Sequence, residues 1–131
     1  MFTDQHHLTA HNSFVLAAAE LGLVGLFFWV GLFYTSFKGL SSVQKHCPRL
    51  AGYAYGLQAA HVGFAATAFF LSRTYMELPY LLCALSAALY AVARNQTDRV
   101  EFRLTMKDAR NVGLASIGAL LLAQIAMKTW L

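Results

Sequence analysis

The sequence predicts an all-α integral membrane protein with four transmembrane helices, forming part of a larger polytopic bundle. Hydrophobic residues make up 58% of the 131-residue chain and charged residues only 12%, with a mean hydropathy of +0.50. That leaves too little polar surface for a soluble domain of this size to cover its core. The apolar residues also come in long blocks, and a block of about 18 or more can cross a hydrocarbon core roughly 30 Å thick. Finally, eight of the ten lysines and arginines fall in two segments between those blocks.

Residues 1–13 are polar and histidine-rich, with His6, His7 and His11. They contain no Lys or Arg, so they lack the basic start of a secretory signal peptide. The first span is expected over residues 14–37, interrupted only by Glu20. The second, over about 50–71, carries Gln58 and His61, and the third covers about 78–93. The fourth runs over 112–131. Each span is expected to be helical, because hydrocarbon offers no partner for backbone N–H and C=O groups.

The first connector, about 38–49, holds Lys38, Lys45 and Arg49; the second, about 94–111, holds Arg94, Arg99, Arg103, Lys107 and Arg110. The positive-inside rule makes both cytoplasmic and has residues 1–13 face outward. Tyr34, Tyr53, Tyr55 and Tyr90 fall near the inferred inner boundary, and Tyr75, Tyr80 and Trp130 near the outer one, as amphipathic rings prefer. Trp29 sits deeper and is read as packing. The net charge of +4 is therefore a topology signal, and no nucleic-acid partner is expected. The second connector admits two readings: a short surface helix bearing Val100, Leu104 and Met106, or a solvated link. Cys47 and Cys83 form no metal-ligand spacing and imply no disulfide framework. No cofactor is expected.

The residues that could carry chemistry cluster where the first span begins. His11-Asn12-Ser13-Phe14 is followed by Glu20-Leu21-Gly22-Leu23-Val24-Gly25. Glycines three apart on a membrane helix allow close approach of a neighbouring backbone. A glutamate about two turns into a span is costly unless it is paired or near water. If the helix starts at Asn12, Glu20 lies only about 12 Å along its axis.

The His-Asn pair followed by Glu-x-Gly-x-x-Gly at the head of a membrane helix resembles the O-antigen ligase and O-antigen polymerase family. Val62-Gly63-Phe64 and Phe69-Phe70-Leu71-Ser72-Arg73 are similar to that family's next segment, so the resemblance covers roughly residues 7–93. It implies a polytopic inner-membrane glycosyltransferase without a metal. Such enzymes move a glycan from an undecaprenyl-pyrophosphate carrier to a sugar hydroxyl, on lipid A–core or on another glycan. It also implies that His11 is the catalytic residue, with Asn12 and Glu20 in support. An imidazole titrating near about 6.5 suits abstraction of a proton from an acceptor hydroxyl. The family's pyrophosphate-binding arginines lie upstream of the His-Asn motif, in a part with no counterpart in these 131 residues. The chain therefore looks like the C-terminal portion of such an enzyme, expected to be inactive alone.

Each residue has a plainer reading beside this one. Without the resemblance, His11 reads as an interfacial polar residue at a helix start. Arg73 meets either carrier phosphate and lipid headgroups or simply anchors its helix. His61 contacts substrate or hydrogen-bonds between helices. His7 and His11, four apart, could share a metal on a helix, but no third ligand is defined. Two other functions compete: a non-catalytic membrane subunit packing against a partner membrane protein, and a small haem or metal protein. The second is weakened because His61 is the only histidine well inside a span.

Overall fold

The computed structural model describes residues 13–70 and 77–129. Among them it contains four α-helices and no strand: α1 Ser13–His46, α2 Pro48–Phe70, α3 Glu77–Gln96 and α4 Met106–Thr129. The described residues of each expected span fall on a helix. Among the described residues, α1 and α3 are long and apolar enough to cross a membrane. In α2 the apolar run is diluted by Gln58, His61 and several Gly and Tyr residues; in α4 it starts only at Val112. Leu, Val, Ile and Phe side chains stand exposed along the helices, among them Leu23, Phe28, Val62, Leu85 and Ile117. So large an apolar surface marks contact with protein or membrane.

α1 is central and packs against each of the other three helices, while α2 also packs on α3. Two apolar clusters fill the interior. One gathers Ala17, Leu26, Trp29, Phe64, Ala68 and Leu82. The other gathers Leu40, Val43, Cys47, Ala54, Ala93 and Val100. Leu57 packs against both.

The first span is not the single straight helix expected over 14–37. At Gly22 the backbone takes φ 71° and ψ −178°, a region open essentially to glycine alone. Phe14 and Trp29 would lie about 22 Å apart along a straight helix, yet their ring centroids meet edge-on at 5.2 Å. The chain therefore folds back at Gly22, and Phe14 and Ala17 lie against the part of α1 that holds Leu26 and Trp29. A Cβ at Gly25 would collide with Leu21 Cβ. The glycine pair expected to admit a neighbouring helix instead permits this fold: nothing lies within 4 Å of a Cβ placed on Gly22.

The first connector is almost wholly helical. α1 continues to His46, and only Cys47 separates it from α2. Nothing breaks the helix before Pro48, whose ring disfavours helical geometry at the preceding residue and suits the first position of α2. Leu40, Val43 and Cys47 fall at helical spacing and are buried, so the extension earns its own core. Lys45 and His46 in the last turn complement the helix dipole.

The second connector is a largely exposed, non-helical link rather than a surface helix, with one buried residue. Residues 97–105 are non-helical and form a strap across the end of the bundle. Val100 is fully buried, whereas Leu104 and Met106 are exposed, so the three share no apolar face. Side chains from the helices capture the strap's carbonyls: Ser42 Oγ donates to Glu101 O at 3.0 Å, Tyr90 OH to Val100 O at 3.3 Å and Lys38 Nζ to Arg103 O at 2.7 Å. The Phe102 ring packs edge-on against Tyr90 at 5.4 Å.

Candidate functional site

His11, Asn12 and Arg73 lie outside the described residues, as do His6 and His7. Of the residues assigned to the site, Glu20 and His61 are described, and the fold does not bring them together. Glu20 is exposed, two residues before the Gly22 turn. Ser13, which opens α1, is buried. The fold-back therefore reverses the expected geometry: Glu20 stands near the tip of a helical hairpin rather than two turns down a straight helix, and Ser13 lies near the level of Trp29. Trp29 is buried between Phe14 and Phe33, and its indole Nε1 has no hydrogen-bond partner among the described residues.

His61 belongs to the packed interior. It is 2% exposed and lies edge-on to Phe33 and Phe37, with centroids at 5.8 and 6.3 Å. Phe33 is eleven residues past Gly22, about 16 Å along the helix, so His61 is remote from the Glu20 tip. Its Nδ1 donates to Leu57 O at 2.8 Å. That bond fixes the tautomer and leaves the Nε2 lone pair toward Cys83 Sγ, 3.9 Å away on α3. Gln58, one turn earlier, donates to Ser41 Oγ at 2.9 Å and Phe37 O at 3.2 Å and accepts from Gln44 Nε2 at 2.7 Å. His61 and Gln58 thus serve as interhelical partners, the first toward α3 and the second toward α1.

A third polar group, not anticipated from the sequence, joins α1 to α4. The Asp108 carboxylate accepts from Lys38 Nζ, Tyr34 OH, Thr105 N and Thr105 Oγ1, each at 2.7 Å. Thr105 precedes α4, and the Asp108 carboxylate three residues later accepts from its amide, the N3-to-N-cap half of a capping box, while Thr105 Oγ1 donates to the same carboxylate. Thr105-x-x-Asp108 was legible as such a signal. The Lys38 ammonium, then the Thr105 and Tyr34 donors, hold the Asp108 carboxyl well below the usual carboxylate range. Asp108 lies ahead of the apolar part of α4, and the pairing cancels the charge of Lys38.

Among the described residues no three or more His, Cys, Asp or Glu side chains gather as a metal site. No protein-family model, curated protein or solved structure matches the chain. The described chemistry comprises an exposed carboxylate at a glycine-built turn, a buried His–Cys contact and a neutralised carboxylate tether.

Proposed function

We propose that the chain is the C-terminal portion of a membrane glycosyltransferase of the O-antigen ligase or polymerase type. It would transfer glycan from an undecaprenyl-pyrophosphate carrier to a sugar hydroxyl, with His11 as base and Asn12 and Glu20 in support. The observation that carries this reading is the backbone at Gly22. In the stretch Glu20-Leu21-Gly22-Leu23-Val24-Gly25, both glycines are required sterically, one by its φ and the other by its closeness to Leu21. The stretch that carries the resemblance is a turn built on its glycines, with Glu20 near its tip.

In this reading four spans sit in a bacterial inner membrane. Residues 23–46 run from the periplasmic tip to the basic cytoplasmic end, and the strap 97–105 lies on the cytoplasmic side. Arg73 is a candidate contact for carrier phosphate or headgroups. The burial of His61 favours its packing role over substrate contact. The test is His11→Ala in the intact protein, which is expected to abolish glycan transfer at normal protein levels; retained transfer would sink the assignment.

A second reading, a non-catalytic membrane subunit that packs against a partner, is favoured by α2. Gly52, Gly56 and Gly63 are exposed there, with nothing within 4 Å of an added Cβ. Such a face admits close helix approach. Stoichiometric co-purification of another membrane protein, with transfer unaffected by His11→Ala, would select it.

A further inference from the structure

Where α2 packs on α3, the fold sets two soft donor atoms face to face. His61 Nδ1 donates to Leu57 O at 2.8 Å, so the neutral ring keeps a lone pair on Nε2. That nitrogen faces Cys83 Sγ across 3.9 Å, and a thiol is a weak hydrogen-bond donor. The imidazole is 2% exposed and stands edge-on to Phe33 and Phe37. Its lone pair is therefore held in apolar surroundings with little to satisfy it.

Thiolate sulfur and imidazole nitrogen are ligands that copper and zinc both accept. Metal–thiolate and metal–imidazole bonds run at about 2.3 and 2.0 Å. An ion at those distances from Sγ and Nε2 closes an S–metal–N angle of about 130°. That is wider than a tetrahedral angle and suits an ion content with two or three ligands. Structural zinc takes four, and among the described residues no three His, Cys, Asp or Glu side chains gather. Charge points the same way. One thiolate and one neutral imidazole carry a single negative charge, which a monovalent ion cancels. A divalent ion leaves a net positive charge among aromatic rings, where burial is costly.

We infer that Cys83 and His61 bind one copper(I) ion between α2 and α3. On binding, the Sγ–H bond breaks and its proton passes to water; Sγ–Cu and Nε2–Cu bonds form, and no electron is transferred. Cys83 is half-buried and is the accessible member of the pair. The Leu57 carbonyl fixes the ring's orientation, as such partners do for metal-bound imidazoles. The inference rests on neither His11 nor glycosyl transfer.

The experiment is anaerobic titration of the detergent-solubilised full chain with copper(I) against a chromophoric chelator, followed by X-ray absorption of the loaded protein. One copper(I) per chain is expected, with sulfur and nitrogen both in its first coordination sphere, and equimolar zinc(II) should not displace it. Cys83→Ser should weaken binding at least about 100-fold while keeping the helical circular dichroism of the parent. Cys47→Ser should bind as the parent does, because that thiol already donates to Gln96 Oε1. Undiminished binding in Cys83→Ser would overturn the site by assigning the metal to other residues. A coordination sphere without nitrogen would remove His61 from it, and displacement by zinc(II) would overturn the choice of a monovalent ion.

Discussion

At the Gly22 end of the bundle, residues 13–21 return along α1 with Phe14 on Trp29, and with Ala17 and Leu26 in the same apolar cluster as Phe64 and Leu82. At the Cys47 end the chain is held by directed polar bonds. Lys38, Ser42 and Tyr90 each reach a carbonyl of the 97–105 strap, and Asp108 ties α4 to α1. The difference follows from what each end must anchor. A helix folded on a helix satisfies its own backbone and needs only shape. A non-helical strap has unsatisfied carbonyls and needs donors. Apolar packing tolerates small shifts, whereas each polar bond is lost when one partner is removed.

Several substitutions would break or sharpen that contrast. The largest effect is expected from Leu26→Ala and Leu40→Ala, which empty fully buried positions in the two clusters. Each should cost about 2–5 kcal/mol, read as loss of thermal stability in detergent. Equal losses would show that both ends rest on a packed core, and a negligible loss at Leu40 would mean the polar tethers alone hold that end. Gly22→Ala comes next, at about 1–3 kcal/mol for a side chain forced into a glycine-only conformation. Spin labels at positions 17 and 26, close in the parent, should separate in this variant; an unchanged distance would refute the fold-back.

Smaller again is the effect of acid on Asp108. Its folded-state pKa is depressed, so its contribution is present above the unfolded carboxylate value of about 3.9 and is lost as the pH falls below it. Thermal midpoints should be flat from pH 8 to 5 and fall below about pH 4. Asp108→Asn should be less stable at neutral pH and lose this part of the acid slope; an unaltered slope would assign it to other carboxylates. The smallest change is Tyr90→Phe, which removes one hydrogen bond to Val100 O, about 0.5–1.5 kcal/mol. Faster hydrogen exchange confined to residues 97–105 is the expected sign.

The helices themselves were legible, because long apolar blocks in α1 and α3 and the proline at 48 leave few alternatives. The continuation of α1 through Lys38 to His46 was also written in the chain, in the spacing of Leu40, Val43 and Cys47, but the basic residues there suggested a loop. Charge marks which side of a membrane a segment faces, and it does not say whether that segment is helical. The roles of the Gly22/Gly25 pair and of Lys38 were not legible in the same way. A Gly-x-x-Gly spacing serves close helix approach or a backbone turn equally well, and the partner of Lys38 lies seventy residues away.

The sequence by itself determined the helical class, the apolar blocks and the lopsided placement of basic residues, because these follow from composition and local pattern. Tertiary structure alone decided that the first block doubles back at Gly22, that His61 meets Cys83 inside the bundle and that Asp108 neutralises Lys38. Each of these depends on which distant residues share a space, and only packing of the helices against one another fixes that.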